Sequence, residues 1–167
     1  MPRLLELEEK LNYRFRNQEL LTRALTHRSW LSDRRPGDQD TADNEQLEFL
    51  GDSILGFIVS ESLVRRDPRI REGQLSQWKA HLVSSTHLHQ RALTLGLGDY
   101  LRLGKGEERN GGRERKTLLA NALEAIIAAI YLDSSVETVR DFITIHVLGA
   151  SGGRYSHRLR AGEPRSS

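Results

Sequence analysis

An all-α fold is predicted for this 167-residue chain by three features of its sequence. Apolar residues recur at intervals of three and four through most of its length, and no stretch sustains the alternation that marks a strand. Residues 118–132 form a segment that is apolar on every side, with Asn121 and Glu124 its only polar side chains before Tyr131. A helix of that kind belongs in a core, so the other helices should pack around it. With 37% hydrophobic residues, 14 Gly and 4 Pro, the chain can bury one core, and one domain over residues 1–148 is expected.

The helical period runs over residues 4–11, 18–26, 44–66, 73–84, 86–95, 113–132 and 135–147. Asp43 stands three before Gln46 and Ser134 three before Glu137, the spacing of a capping box at the starts of the third and last segments. The breaks are equally legible. Residues 34–40, RRPGDQD, read as a polar loop, Asp67-Pro68 as a helix stop, and Gly111-Gly112 as a joint. Residues 149–167 lack an apolar period from Ser151 on and are expected to form a loose basic tail, in which Arg154, Arg158, Arg160 and Arg165 face only Glu163. There is no internal repeat.

Candidate chemistry lies in two of these segments. Glu45, Glu48 and Asp52 fall at i, i+3 and i+7, which puts three carboxylates on one helix face. Asn121 and Glu124 are neighbours on the apolar helix, where an unpaired carboxylate is costly and needs a partner, a raised pKa or a cation. If the two polar faces meet, several oxygen donors converge in a manner suited to a hard divalent ion such as Mg²⁺. Plainer readings stand beside this one: the acidic stripe as a solvated face, Glu124 paired with a buried Arg, Asn121 as a satisfied core amide.

Composition excludes other classes. With no cysteine there are no disulfides, thiolate metal sites or cysteine nucleophiles. The N-terminus MPRLLELEEKL is charged, unlike a signal peptide, and no apolar run has the length to cross a bilayer, so a cytoplasmic protein is expected with no membrane partner. A net charge of +2 does not mark a nucleic-acid binder. Its distribution is more telling. Lys105, Arg109, Arg113, Arg115 and Lys116 gather in one loop and arginines in the tail, leaving the rest of the chain acidic. Mobile basic segments flanking an acidic site suit a polyanion held over a metal centre, and a solvated loop is the alternative.

The order of residues adds a resemblance. NEQLEFLGDSIL, residues 44–55, resembles the signature segment of the ribonuclease III family, and THRSW (26–30), EGQLSQWKAHLVS (72–84) and GKGEERNGGRERKTLLANALEAIIAAIYLD (104–133) resemble further motifs of its nuclease domain in the right order. The likeness covers roughly residues 3–148; the double-stranded RNA-binding domain that usually follows has no counterpart in it. The resemblance implies a helical endonuclease domain that forms a symmetric homodimer. It implies Mg²⁺-dependent cleavage of double-stranded RNA, with Mn²⁺ as a possible substitute, to 5′-phosphate and 3′-hydroxyl ends. Glu48, Asp52 and Glu124 are then the catalytic and metal-binding carboxylates, Asn121 occupies the fourth metal position, and Glu45 and Glu72 are acidic residues near the site. Phe49 is implied to dock into a cavity on the partner, with ordinary core as its alternative. The basic loop residues Lys105, Arg109, Arg113, Arg115 and Lys116 become candidate RNA contacts.

One position departs from the pattern. Where the family usually has Asp, this chain has Asn121, which offers a carbonyl oxygen but no charge. Three explanations stand: an active natural variant, a lineage turned to RNA binding or scaffolding without efficient cleavage, or an introduced Asp→Asn change. A phosphohydrolase of small nucleotides is disfavoured because the chain lacks a His-Asp pair and paired His ligands. His27 and Ser29 are expected to cap and pack, and His81, His87 and His89 have no Asp or Cys at ligand spacing.

Overall fold

The computed structural model describes residues 2–35, 37 and 42–149. They form α1 (Pro2–Leu11), α2 (Gln18–Ala24), α3 (Arg28–Ser32), α4 (Glu45–Arg66), α5 (Glu72–Leu82), α6 (Ser85–Leu95), α7 (Lys105–Arg109), α8 (Lys116–Asp133) and α9 (Val136–His146). Short 3₁₀ turns at Leu97–Tyr100 and Gly112–Glu114 join α6 to α7 and α7 to α8. Among the described residues the only β feature is an isolated bridge between Thr26 and Arg102. The all-α expectation holds.

Helix α8 is the axis of the core. Leu119, Leu123, Ile126, Ile127 and Ile130 are wholly buried, each contributing about 1.5–3 kcal/mol of burial. Ala122, Ala125, Ala128 and Ala129 between them are also fully buried and let neighbouring helices come close. Helix α4 packs most extensively along α8, followed by α6, with α2 and α9 completing the surround. Helix α4 buries Leu47, Gly51, Leu55, Ile58, Val59 and Leu63 on that side and leaves Phe49, Phe57 and Val64 exposed on another.

Several local expectations are corrected. The segment 113–132 is not one helix: residues 112–114 wind as a 3₁₀ turn, because the Arg113 guanidinium donates to the Gly98 and Leu101 carbonyls at 3.0 and 2.7 Å and ties that turn to the preceding one. The box at Asp43 is half made. Asp43 accepts from the Glu45 amide at 3.1 Å, but the Gln46 side chain accepts from Arg23 instead of reaching back. Asn44 is the N-cap residue of α4, and its side chain donates to the Ala24 carbonyl rather than capping. At α9 the cap is Ser135, which accepts from the Thr138 amide, while Ser134 bonds back to the Ile130 carbonyl. Helix α2 stops at Ala24, where the chain turns into the bridge with Arg102. Most of the expected basic tail, and part of the 34–40 loop, lie outside the described residues. Among the described residues no helix is long and apolar enough to cross a membrane.

Candidate active site

A glycine sets the site. A Cβ on Gly51 would lie 1.8 Å from the Glu124 carbonyl oxygen and 2.6 Å from its carbonyl carbon, so α4 and α8 touch backbone to backbone there. Glu48 lies one turn before this contact and Asp52 directly after it, and the crossing brings both to the helix face that carries Glu124. With Glu45, Phe49 and Asn121 they line a cleft of about 780 Å³, walled on its other sides by His27, Arg28, Asn44, Ser85, Leu101, Thr117 and Leu118.

The electrostatics are those of crowded anions. Burial pushes the Glu124 carboxyl up to about 8, and the charges of Asp52 and Glu48 add to the effect. Glu48 is also raised, by burial first and then by Glu45 and Asp52. Among the described residues no Lys or Arg pairs with Glu48, Asp52 or Glu124, so the buried-pair reading of Glu124 is set aside. As these side chains stand, no three His, Cys, Asp or Glu groups among the described residues are gathered tightly enough to hold a metal ion. The donor chemistry nevertheless fits a hard cation: three carboxylates unpaired with any Lys or Arg among the described residues, and an amide carbonyl, line one cleft. A cation would offset the burial, and with it the repulsion, that raise Glu124.

The other sequence-predicted residues divide. Asn121 lines the cleft, half-buried, one turn before Glu124 rather than in the core. Phe49 is 79% exposed at the cleft, so in the monomer it is not core. Glu45 lies within 4.0 Å of Arg28 at the cleft wall. Glu72 is not brought to the cleft; it is exposed at the start of α5 and accepts a long hydrogen bond from Ser76 at 3.4 Å. Lys105 and Arg109 are exposed on α7. Arg113 turns inward as described and also pairs with Glu108 at 2.8 Å, Arg115 pairs with Glu107, and Lys116 donates to Thr86. His27 caps α3 by accepting from the Ser29 amide, as expected. Sequence reasoning missed Gly51 and Arg28. The first had a faint signal, a glycine inside a helix between two acids. Arg28 had none.

Fold and cleft together define an α-helical domain built around an acidic interhelical site. The family model described as Ribonuclease-III-like matches residues 17–150, and the chain belongs to this family. Proteins named Ribonuclease 3 are similar to it: that of Solibacter usitatus is 59% identical over 152 residues, 89% of this chain and 55% of that protein. The protein of that name from Geobacter metallireducens is 51% identical over 138 residues, 83% and 56% of the respective chains. The chain thus spans little more than half the length of these curated relatives. The crystal structure of the nuclease domain of Campylobacter jejuni ribonuclease III superposes with a TM-score of 0.79 at 36% identity, covering 89% of this chain and 96% of that one. A second structure of that nuclease domain, described for flexibility in a region involved in dimer formation, gives 0.77 at 37% identity and covers 86% and 94%.

Proposed function

We propose that this chain is the nuclease domain of a ribonuclease III-type endoribonuclease. It hydrolyses double-stranded RNA to 5′-phosphate and 3′-hydroxyl ends with Mg²⁺, or Mn²⁺ in its place, held by Glu48, Asp52, Glu124 and the Asn121 carbonyl. The observation that carries the reading is the crossing at Gly51, which sets Glu48 and Asp52 in one cleft with Glu124, with no basic partner to these three among the described residues. The kinship with proteins named Ribonuclease 3 supports it. When bound, the divalent ion supplies charge neutralisation at the scissile phosphate and acidifies water.

The chain's own residues do the positioning. Glu124, half-buried and raised, holds a proton near neutral pH in the absence of a cation and releases it when a cation takes its place. Gly51 fixes the spacing of the two helices that carry the donors. Asn121 orients a ligand without adding charge, which weakens affinity for the ion. Phe49 docks into a second copy in a symmetric homodimer, a reading supported by its exposure. Lys105 and Arg109 offer exposed cations to the RNA backbone. The reading extends to the cytoplasm, in keeping with a cysteine-free chain.

A second reading, a dimeric RNA-binding or scaffolding protein with weakened or lost cleavage, is favoured by Asn121 alone. One assay separates the two. Long duplex RNA is incubated with the protein with and without Mg²⁺, and product ends are tested for 5′-phosphate. Metal-dependent cleavage supports the first reading, binding without cleavage the second, and neither binding nor cleavage overturns both.

A further inference from the structure

The acidic cleft adjoins a second cavity of about 470 Å³, and the two share His27, Arg28, Thr117 and Leu118. They therefore meet along the first turns of α3 and α8 and form one groove. The charge changes along it. Among the described residues Arg28 is the only Lys or Arg lining the acidic cleft, and it stands where that cleft opens into the second cavity.

In the second cavity the carboxylates are already engaged. Asp33 accepts from the Lys105 amide at 2.7 Å, and Glu107 pairs with Arg115. The far wall is fixed. The Gly104 amide donates to Ser29 at 2.9 Å, and a Cβ on Gly104 would lie 2.4 Å from the Ser29 carbonyl oxygen, so the glycine-rich loop 104–112 is pressed against α3 at its start. Ser32 and Thr117 add hydroxyl groups.

Arg28 itself is loosely held. Its partner is Glu45 at 4.0 Å, with the two side chains 74% and 60% exposed. Such a pair has little net strength and yields readily to a better anion. A guanidinium offers a planar fork that matches a phosphate's oxygens, and it answers the difficulty that an acidic cleft repels a polyanion. We propose that Arg28 binds the phosphodiester next to the scissile one, and that the second cavity receives the nucleotide beyond it. This rests on the RNA-cleaving reading. The ligand chemistry is a ribonucleotide strand passing from the carboxylates, across Arg28, towards the glycine-rich loop.

The test uses duplex RNAs that each carry one neutral methylphosphonate linkage, walked through the positions around the cleavage site. Wild-type protein is compared with Arg28→Ala and Arg28→Lys. In the wild type, neutralising the flanking linkage raises KM about tenfold, the scale of one lost charged contact. Arg28→Ala raises KM on unmodified RNA by a similar factor, leaves kcat within about twofold, loses the methylphosphonate penalty at that position alone, and shallows the log–log salt dependence of binding by about one unit. Arg28→Lys restores part of the affinity. Because Arg28 is exposed, its removal leaves the melting temperature unchanged, and a lower one would assign it a structural role and overturn the proposal. An unchanged KM, or a penalty that persists in Arg28→Ala, overturns it as well. Duplex binding without metal is measured on the same set of RNAs. A wild type that binds but does not cut therefore refutes the endonuclease reading while the comparison at Arg28 is still decided.

Discussion

Gly51→Ala is predicted to destabilise the protein and disable its site, although helix propensity alone predicts the opposite. Replacing a glycine in a helix interior by alanine gains about 0.8–1.0 kcal/mol. Here the new methyl would lie 1.8 Å from the Glu124 carbonyl oxygen, 1.6 Å short of the 3.4 Å at which ordinary contact begins. The obstructing atoms are backbone, so no rotamer change relieves them. The helices must part along the seam that Leu47 and Leu55 make with α8, and overpacking of this kind costs about 1–3 kcal/mol, more where a rigid core resists. A backbone clash of this depth puts the cost at the upper end of that range, so the net loss is about 2 kcal/mol, or roughly 4–8 °C in Tm for a domain of this size. Parting the helices also draws Glu48 and Asp52 away from Glu124, and a displacement of about 1 Å costs on the order of 10²-fold in rate. Thermal melting and duplex-RNA cleavage measure the two effects. Gly56→Ala is the control: its Cβ would meet only the end of the Lys79 side chain at 3.8 Å, so the propensity gain should appear. A Gly51→Ala protein that melts at or above the wild type and cuts at full rate would refute the account of the crossing.

Glu124→Gln is expected to abolish cleavage while leaving the protein folded. Without metal it should melt higher than wild type at alkaline pH. The folded-state pKa of Glu124, about 8, lies above the unfolded value near 4.5, so its cost to stability grows as pH rises through that window. Removing the charge gains on the order of 2 kcal/mol once partial exposure is discounted, and melting at pH 5 and pH 9 with chelator checks the sign. Phe49→Ala should shift a dimer towards monomer in sedimentation, since truncating an interfacial aromatic costs about 3–5 kcal/mol; a monomeric wild type, or an unchanged dimer in the variant, counts against the interface. His146 donates to the Leu11 carbonyl, and burial holds its pKa below the usual value, with the nearby Arg91 charge lowering it further. A histidine depressed in this way lends stability that is fully present above about pH 6.5 and is lost as pH falls towards its folded-state pKa. The melting curve of wild type should therefore drop on acidification relative to His146→Gln, and parallel curves would refute it.

Much of the site was legible because helical spacing is local. Glu45, Glu48 and Asp52 share a face at i, i+3 and i+7 whatever the tertiary fold, and an apolar helix interrupted only by Asn121 and Glu124 has to be central. What joins the two helices was not legible, because Gly51 matters through a backbone atom far away in sequence. Helices α3 and α7 span five residues each, too few for a period to show. Arg113 read as one loop cation among several, and only the fold supplies the Gly98 and Leu101 carbonyls that claim it. The serine that caps α9 was misassigned by one residue because Ser134 and Ser135 are chemically alike. Folding back onto the Ile130 carbonyl engages Ser134 and leaves Ser135 to cap.

On the proposed reading the crossing of α4 and α8 holds a catalytic divalent ion, with Asn121 among its ligands. The decisive measurement titrates Mg²⁺ against the wild type and Asn121→Asp, following both duplex-RNA cleavage and metal-linked melting. The variant adds a negative donor of nearly the same shape. Half-maximal cleavage should then come at lower Mg²⁺, and the metal-free variant should melt below wild type, because a further carboxylate crowds Glu48, Asp52 and Glu124. Adding Mg²⁺ should reverse that loss through linkage of binding to folding. Asn121→Asp leaving both the Mg²⁺ dependence and the metal-linked melting shift untouched would contradict the account.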